Sequence, residues 1–578
     1  MIRLFTKLVS VILSFVMSFT GFISTTFNEI IDSVSEMIFG IPYTLEAIKS
    51  DFFDEMSKND IVMLDDDIGF INNKIAVFVD SEISFSEKID LFSTCGGVLS
   101  GWCTPADLYV ISYPAMNYDQ VLGKCESLEK KEFVELSIPV IVQKTENNLT
   151  PEDTFDATEE NPIIWDETVP DGSNWWLEAI DARQAWDYSD KFSKINIGVV
   201  DSGFDTKHTD LVGKIRFPDN KQARRNVPDM HGTHVAGIIA ANHNGIGVAG
   251  VCDNSELVCV DWMPGFLQFW SSDIAIFFGL STLVKAGAKV VNFSLGTSGS
   301  KTSNSSGFIE RVFETAATSY MMASLLSKGY DFVVVQSAGN GDAFGDPIDA
   351  KNNGHFAALT ESNIFVGSKN ISKQDILNRI IIVASASNDG DGTFTQSEFT
   401  NVGRNVSIAA PGEDVYSCSI DDTYEYLSGT SMSAPIVTAV AALVWSVNPA
   451  FTGMQVKDIV CTSTDSVAEI YTESEYFYDV ELMEYPMINA KLAVEEAIRR
   501  SDSSVGTVSG KIIGSAETII YNGASHTVYS DGTYSFVAAE GTDTAEIFDR
   551  YGNSIGTFEI TVTSGQTVNV EDYNVESY

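Results

Sequence analysis

Hydrophobic and polar positions change their spacing several times along the chain, and each change marks a predicted unit. Between about residues 43 and 142, short apolar strands alternate with amphipathic helices in the order β-α-β-β-α-β. That order is typical of a ferredoxin-like α+β sandwich, a fold that carries no function by itself. The strands are predicted at 74–79, 98–103, 107–113 and 134–142, and the helices at 85–92 and 119–130.

Between residues 172 and 500 the apolar runs are continuous, as in strands of a parallel sheet that is covered on both faces. They alternate with helical stretches, so we predict a doubly wound, mostly parallel α/β domain. Segment 436–445 is apolar almost all round and predicts a helix buried on every side. The other predicted elements are strands at 195–200, 257–260, 289–293, 332–335 and 380–384, and helices at 177–186, 234–241, 273–286, 311–328 and 489–498.

The remaining segments are the two ends of the chain and one joint. Two basic residues precede an apolar run up to residue 24, which predicts a secretory signal peptide over 1–26, with an uncleaved membrane anchor as the alternative. The first domain then spans 27–144. Residues 145–171 carry nine acids and no base and predict an exposed linker. Residues 505–578 contain short alternating strands between Gly, Asn and Asp turns, which indicates a small all-β sandwich.

Composition narrows the range of partners. The 578 residues include 80 acids and 35 bases, a net charge of −45, so nucleic acid and anionic membranes are poor partners. The seven cysteines match no zinc spacing, and their odd number argues against a full disulfide framework. We expect buried free thiols, with a single disulfide left open as the alternative.

Four polar residues stand where buried elements begin or end. Asp201 and Asn340 follow predicted strands, His231 opens His-Gly-Thr-His-Val-Ala-Gly at a loop-to-helix junction, and Ser431 precedes the buried helix. A serine hydroxyl becomes a nucleophile when a base and an orienting carboxylate lie beside it, and an Asn amide can stabilise an oxyanion. Taken singly, Ser431 reads as a helix N-cap and Asp201 as a turn residue. A metal interpretation of His231 with His234 lacks the zinc-helix spacing.

At these residues the chain resembles the subtilisin-like serine proteases. The resemblance covers about residues 175–500 and rests on Val-Val-Asp201-Ser-Gly, His231-Gly-Thr-His-Val-Ala-Gly, Ser-Leu-Gly296, Ser-Ala-Gly-Asn340 and Gly-Thr-Ser431-Met-Ser-Ala-Pro, in the family's order. It implies a secreted serine endopeptidase that cleaves polypeptides through an acyl-enzyme, with Asp201, His231 and Ser431 as triad and Asn340 in the oxyanion hole. The domain at 27–144 then resembles the family's prodomain, an intramolecular inhibitor and folding chaperone, with a processing site in the linker.

The resemblance also implies a structural calcium site. Its ligands would be Asp210 and a loop in which Asn244 offers a side-chain oxygen and Asn242, Ile246 and Val248 offer carbonyls. The alternative is an ordinary glycine-rich loop capped by Asn.

Substrate binding is expected along two stretches. The resemblance places an extended peptide against Ser294, Leu295 and Gly296, with side-chain pockets lined partly by Ser337, Ala338 and Gly339. We expect apolar or aromatic residues before the cleaved bond. Segments 297–308 and 344–379 are enlarged relative to the family pattern, and residue 297 is Thr where Gly is common.

Two alternatives remain open at this stage. The complete set of four catalytic residue types favours an active, extracellular enzyme over a catalytically silent protein that uses the same fold for binding. The carboxy-terminal module either contacts cell wall or carbohydrate or stabilises the enzyme, and only fold-level analogy supports either role.

Overall fold

The computed structural model describes residues 51–53, 56–64, 68–144, 174–219, 223–262, 270–296, 305–342, 346–388, 393–473, 480–501, 505–521, 524–529, 531–549, 552–564, 566–570 and 572–575. The predicted signal peptide and the acidic linker lie outside these residues.

From β3 to β6 the amino-terminal unit follows the order β-α-β-β-α-β, and two short strands that were not predicted, β1 and β2, precede it. Its sheet runs in the order β1-β4-β5-β3-β6, with β2 beside β3 and with antiparallel pairing throughout. The two helices pack on one face, where they cover Phe70, Ile75 and Val77. The elements are β1 (Phe52–Phe53), β2 (Ile61–Met63), β3 (Ile68–Val79), α1 (Phe85–Thr94), β4 (Val98–Cys103), β5 (Leu108–Ser112), α2 (Tyr118–Glu129) and β6 (Val134–Lys144).

The central unit is an α/β domain built on a ten-stranded sheet. Strands β8, β9, β7, β11, β12 and β13 lie side by side and are all parallel. Beyond β13 the sheet continues with β14, β18 and β19, where β14 pairs parallel with β18 and the other two pairings are antiparallel. Strand β15 also pairs parallel with β13. The strands are β7 (Asn196–Asp201), β8 (Ile215–Arg216), β9 (Glu256–Asp261), β10 (Trp270–Ser272), β11 (Val290–Phe293), β12 (Val333–Ser337), β13 (Ile380–Asn388), β14 (Phe394–Gln396), β15 (Ile408–Pro411), β16 (Val415–Ser419), β17 (Thr423–Leu427), β18 (Val467–Glu473) and β19 (Val480–Pro486).

Helices cover both faces of this sheet. The helices α5, α9, α10 and α11 pack on one face, and α6, α7 and α8 pack on the other. Among the described residues one helix, α9, is long and apolar enough to span a membrane, and 89% of its apolar window is buried inside the protein. The helices are α3 (Trp175–Ala179), α4 (Ala182–Trp186), α5 (Met230–Ala240), α6 (Asp273–Lys285), α7 (Ser305–Ser327), α8 (Lys373–Leu377), α9 (Thr430–Val447), α10 (Gly453–Thr462) and α11 (Ala490–Ser501).

The carboxy-terminal unit consists of two four-stranded sheets that enclose one apolar core. One sheet contains β20, β23, β26 and β27, and the other contains β21, β22, β24 and β25. These strands are β20 (Val505–Ile513), β21 (Ala516–Tyr521), β22 (Ala524–Thr527), β23 (Thr533–Ala539), β24 (Gly541–Asp549), β25 (Ser554–Val562), β26 (Thr567–Asn569) and β27 (Tyr573–Asn574).

The amino-terminal unit docks on α6 and α7 through the sheet face that its own helices leave uncovered. Phe78 packs edge-on against Phe277 and Tyr320. The end of β6 also pairs antiparallel with β10 of the central unit, so the two units share one sheet. The docking surface is therefore both apolar and hydrogen-bonded through the backbone.

Charged groups on this interface are paired. Asp107, buried on the amino-terminal unit, accepts from Lys328 at 2.7 Å and from Lys369 at 3.0 Å. Lys285 likewise contacts Asp51 at 2.9 Å. The burial of opposite charges across the interface makes the docking specific as well as apolar.

The carboxy-terminal module is also joined to the central unit by polar contacts. Asp458 on α10 pairs with Arg500 at 2.6 Å and with His526 of the module at 3.3 Å. Thr533 of the module donates to Glu361 at 2.6 Å. All seven cysteines are free thiols, as expected, and six of them are buried.

Candidate active site

Asp201 and His231 are held together at the carboxyl edge of the central sheet. Asp201 is the last residue of β7, and its Oδ1 lies 2.7 Å from Nδ1 of His231. The backbone N–H of Ser202 donates to the same oxygen at 2.7 Å. This places the carboxylate where it fixes the orientation of the imidazole ring and leaves Nε2 for chemistry.

The helix that carries His231 begins earlier than the sequence indicates. It starts at Met230, so His231 is in the first turn of α5 rather than in a preceding loop. Asp229 is the N-cap, and its Oδ1 accepts from the backbone N–H of His231 at 3.0 Å and from the Ser202 hydroxyl at 2.6 Å. Asp229 therefore links the two segments that supply the Asp–His pair.

Gly232 and Gly203 allow this close approach of β7 and α5. A Cβ on Gly232 would lie 2.1 Å from the carbonyl oxygen of Gly203, and a Cβ on Gly203 would lie 1.9 Å from that of Val227. Gly203 also has a φ of +119°, which side-chain-bearing residues rarely adopt. The two glycines of the motifs are thus required by sterics.

Ser431 lies in the first turn of α9, at the positive end of the helix dipole. Its hydroxyl contacts the carbonyl oxygen of Ser294 at 3.3 Å, and it makes no hydrogen bond to His231. Catalytic hydrogen bonds are often long or absent before substrate binds. The missing Ser431–His231 hydrogen bond in the free protein therefore does not exclude a catalytic role for this pair.

Asn340 has its amide oriented by a neighbour of Ser431. Its Oδ1 accepts from the backbone N–H of Thr430 at 2.9 Å and from the Thr430 hydroxyl at 2.7 Å. With the oxygen used twice, the Nδ2 group faces the other way and approaches Gly429. Thr430 therefore fixes which end of the amide is presented at the front of the site.

Opposing effects set the pKa of His231. Burial alone would lower it, but the charge and hydrogen bond of Asp201, together with the charge of Asp229, raise the pKa above its ordinary value. His234, one turn along the same helix, is different: burial lowers its pKa to about 3. The Nε2 atom of His234 lies 3.1 Å from the carbonyl oxygen of Glu425, so this residue is a neutral, structural histidine.

The predicted substrate-binding strand is anchored to α9 by buried polar groups. Thr438 donates to Asn292 at 2.9 Å, Asn292 donates to Ser294 at 2.9 Å, and Ser294 donates to the carbonyl oxygen of Ser431 at 2.7 Å. Each of these side chains has a hydrogen-bond partner, so the strand and α9 keep a fixed relative position.

The space between the two predicted pocket walls contains an amide side chain. Asn353 is buried and donates to the carbonyl oxygen of Ser337 at 2.8 Å. A Cβ on Gly296 would lie 1.8 Å from Oδ1 of Asn353, and a Cβ on Gly339 would lie 2.8 Å from the same atom. Asn353 therefore lies directly against both Gly296 and Gly339.

The loop predicted to bind calcium packs on Asp210 as expected, but the contacts differ in kind. Asp210 is fully buried and accepts from Nδ2 of Asn244 at 2.9 Å, from the backbone N–H of Val248 at 3.1 Å and from the Tyr424 hydroxyl at 2.8 Å. Asn242 donates to the Asp210 backbone carbonyl, and the Ile246 N–H donates to Oδ1 of Asn244.

Structural calcium is general in subtilisins, but the groups around Asp210 do not fit a cation as they are placed. Both oxygens of the carboxylate are occupied by N–H and O–H donors, whereas calcium requires converging oxygens. Burial and the Asp210 charge raise the pKa of Tyr424, so its hydroxyl remains a donor. The sequence did not reveal this role of Tyr424, which lies far from Asp210 along the chain.

The α/β fold, together with the Asp, His and Ser residues at the edge of its sheet, defines the class of protein as a serine hydrolase. The sequence matches the subtilase family over residues 193–481, half of the chain, and the protein belongs to this family of serine endopeptidases.

Individual relatives agree with the family assignment. Thermitase of Thermoactinomyces vulgaris is 32% identical over 275 residues, which are 46% of this chain and 81% of the relative. Subtilisin DY of Bacillus licheniformis is 28% identical over 317 residues, 54% of this chain and 98% of the relative. The crystal structure of fervidolysin from Fervidobacterium pennivorans, described as a keratinolytic enzyme related to subtilisin, covers 89% of this chain and 79% of its own at a TM-score of 0.53. Its 18% identity supports the fold alone.

Proposed function

We propose that this protein cleaves internal peptide bonds by an acyl-enzyme mechanism in which Ser431 is the nucleophile. The observation that carries the proposal is the 2.7 Å contact between Asp201 and His231, made at the sheet edge where Ser431 and Asn340 also lie. A carboxylate that holds one imidazole nitrogen makes the other a general base.

In the first step the Ser431 oxygen attacks the peptide carbonyl carbon while Nε2 of His231 takes the hydroxyl proton. The carbonyl oxygen becomes an oxyanion, which Nδ2 of Asn340 and the backbone N–H of Ser431 stabilise. His231 then gives the proton to the leaving amine, and the C–N bond breaks. Water attacks the resulting ester with His231 again as base, which releases the carboxylate product and restores Ser431.

We further propose that small side chains are preferred before the cleaved bond. The support is the position of Asn353 between Gly296 and Gly339, where an aromatic ring would otherwise enter. Its hydrogen bond to Ser337 holds the amide in place, so admitting a large side chain would break that bond.

The amino-terminal unit acts, in this proposal, as an inhibitory prodomain of a secreted zymogen. Pairing of the end of β6 with β10 supports this role, because it holds the last strand of the amino-terminal unit on the central unit. The first processing bond is proposed within residues 143–171. The carboxy-terminal module stabilises the enzyme or contacts cell wall or carbohydrate; the contact of its His526 with Asp458 favours the first role.

One experiment tests nucleophile and maturation together. The full chain and its Ser431→Ala variant are secreted from a host without extracellular proteases, labelled with a fluorophosphonate and sequenced from the amino terminus. We expect the unmodified chain to be labelled and to start within the linker at 145–171, and the variant to be unlabelled and uncut. An unlabelled unmodified chain would favour the silent, binding-only alternative, and a variant cut at the same bond would mean that another enzyme performs maturation.

A further inference from the structure

Three ligand-type side chains meet in the interior, away from the Asp201–His231 pair. Asp273 is the first residue of α6, Glu314 lies on α7, and His355 follows β12. They are 4%, 3% and 1% exposed, and one ligand atom from each lies within 4.8 Å of the others. Side chains this well buried need partners, because water cannot supply them.

Several atoms of this cluster lack such partners. The Oδ2 atom of Asp273 and both ring nitrogens of His355 have no hydrogen-bond partner. Nδ1 of His355 lies 3.0 Å from Oε1 of Glu314, at ion-pair distance, although the two side chains form no hydrogen bond. The same Glu314 oxygen accepts from the backbone N–H of His355 at 2.7 Å. Nε2 of His355 and Oδ2 of Asp273 are thus left without any partner among the residues that the structure describes.

In the described part of the chain, the two carboxylates of the cluster have a single base beside them, His355. Arg311 lies on the same helix as Glu314, but its guanidinium donates to Asn352. No lysine or arginine forms an ion pair with either carboxylate within the described ranges. A divalent cation would neutralise both acids and use the free lone pairs at the same time.

We propose that Asp273, Glu314 and His355 bind one divalent transition-metal ion. Two carboxylate oxygens and one imidazole nitrogen suit Zn²⁺, which takes nitrogen and oxygen ligands in a compact four-coordinate site. Calcium is a poorer match, because it prefers six to eight oxygens. The site is structural, because its three residues are almost completely buried.

The position of this site connects it with the pocket that Asn353 fills. His355 has a φ of +50°, which residues other than glycine rarely adopt. Residues on both sides of His355 are hydrogen-bonded to the side chain of Gln336. The Gly354 carbonyl accepts from Nε2 of Gln336 at 3.4 Å, and the Ala357 N–H donates to Oε1 at 2.9 Å. Gln336 directly precedes Ser337 of the pocket wall, so the ion would brace the segment 353–357 behind that wall.

Metal content of the intact chain tests the proposal. The full chain with Ser431→Ala, which cannot digest itself, is stripped with a chelator, dialysed and titrated with ZnCl₂ by calorimetry; CaCl₂ is titrated separately. We expect one equivalent of Zn²⁺, a thermal midpoint that rises on adding it, and no such response to calcium. Because binding is measured in an inactive chain, the outcome does not depend on the proposed proteolysis.

Isosteric variants locate the ion. Asp273→Asn and Glu314→Gln keep the side-chain size, and His355→Asn suits the left-handed backbone; each should bind Zn²⁺ at least ten-fold more weakly. His526→Asn is the matched control, because that histidine also pairs with a buried acid, Asp458, but Arg500 neutralises the acid. Failure of the unmodified chain to bind Zn²⁺, or equal binding by the Asp273→Asn variant, would overturn the proposal and leave a cluster that shares protons.

Discussion

The orientation of the Asn340 amide depends on one hydroxyl and one backbone N–H, both from Thr430. Replacing Asn340 with Leu removes the Nδ2 donor that the developing oxyanion would use. We expect kcat to fall about 10²–10³-fold with KM little changed, a magnitude known from a subtilisin rather than derived from this structure. Steady-state kinetics on a peptide substrate measures both values.

The partner variant Thr430→Ala keeps the amide and loses only one of its two orienting donors. It should therefore lower kcat by less than Asn340→Leu does. A large rise in KM with unchanged kcat in the Asn340 variant would assign this residue to substrate binding.

The acid limb of the pH–rate profile should report His231. The general base must be neutral, and the neighbouring Asp201 and Asp229 raise its pKa, so activity should be lost as pH falls through a value above 6.5. Asp229→Asn keeps an N-cap but removes one negative charge, and we expect this limb to move to lower pH. The measurement is kcat/KM against pH.

His234 cannot produce this limb, because its pKa is about 3. If the acid limb of the Asp229→Asn variant lies at the same pH as that of the parent, the charge of Asp229 does not raise the pKa of His231.

Asn353 is expected to limit the size of the residue before the cleaved bond. Shortening it to Ala removes the amide from between Gly296 and Gly339. We expect kcat/KM for phenylalanine at that position to rise at least ten-fold relative to alanine, in a peptide-library profile. Lys351→Ala, an exposed neighbour, is the control and should leave the profile unchanged. A parental enzyme that already prefers aromatic residues would contradict the proposed preference.

Among the elements, β17 has a structural role that could not be predicted from its sequence. Tyr424 on this strand donates to the buried Asp210 and closes the loop at 242–248. Tyr424→Phe removes this donor, which costs about 1–3 kcal/mol and lowers the thermal midpoint by several degrees. The Asp210 oxygen then keeps only the Val248 N–H as donor, which should let calcium stabilise the variant more than the parent, measured by thermal unfolding in the Ser431→Ala background.

Tyr426→Phe on the same strand is the control, because the Tyr426 ring contacts Tyr416 and not Asp210. If calcium raises the thermal midpoint of the parent as much as that of the Tyr424→Phe variant, the loop binds calcium despite the donors around Asp210.

At the scale of the whole molecule, Asp107 joins the amino-terminal unit to two lysines of the central unit. Asp107→Asn leaves Lys369 buried without a charged partner, which typically costs 2–5 kcal/mol at an interface. We expect the processed prodomain to dissociate faster, so that a fluorophosphonate labels Ser431 at least ten-fold faster after processing. Asp90→Asn, exposed on α1, is the matched control.

Labelling rates are compared at equal amounts of folded enzyme, because a weakened prodomain also assists folding less. Equal rates for the Asp107 and Asp90 variants would show that the apolar face of the sheet alone holds the prodomain.

The sequence by itself determined the elements whose pattern is local. Continuous apolar runs predicted the strands β7, β9, β11, β12 and β13. Apolar residues at a spacing of about 3.6 predicted the helices α1, α2 and α6. Both predictions work because the burial of one or both faces of an element determines which neighbouring positions are apolar. The residues Asp201, His231, Asn340 and Ser431 were found in the same way, from short motifs at element ends. The sequence predicted one helix over 177–186, whereas the chain breaks it at Asp181, whose φ is +53°.

Only the tertiary structure decided which distant residues meet. Tyr424 at Asp210, Asn353 between two glycines and the cluster of Asp273, Glu314 and His355 each combine segments that share no local pattern. Strands β14 to β19 were also missed, because they are short and their pairing comes from register with distant strands. Periodicity records which face of an element is buried, whereas hydrogen bonds and charge pairs depend on what the fold places against that face.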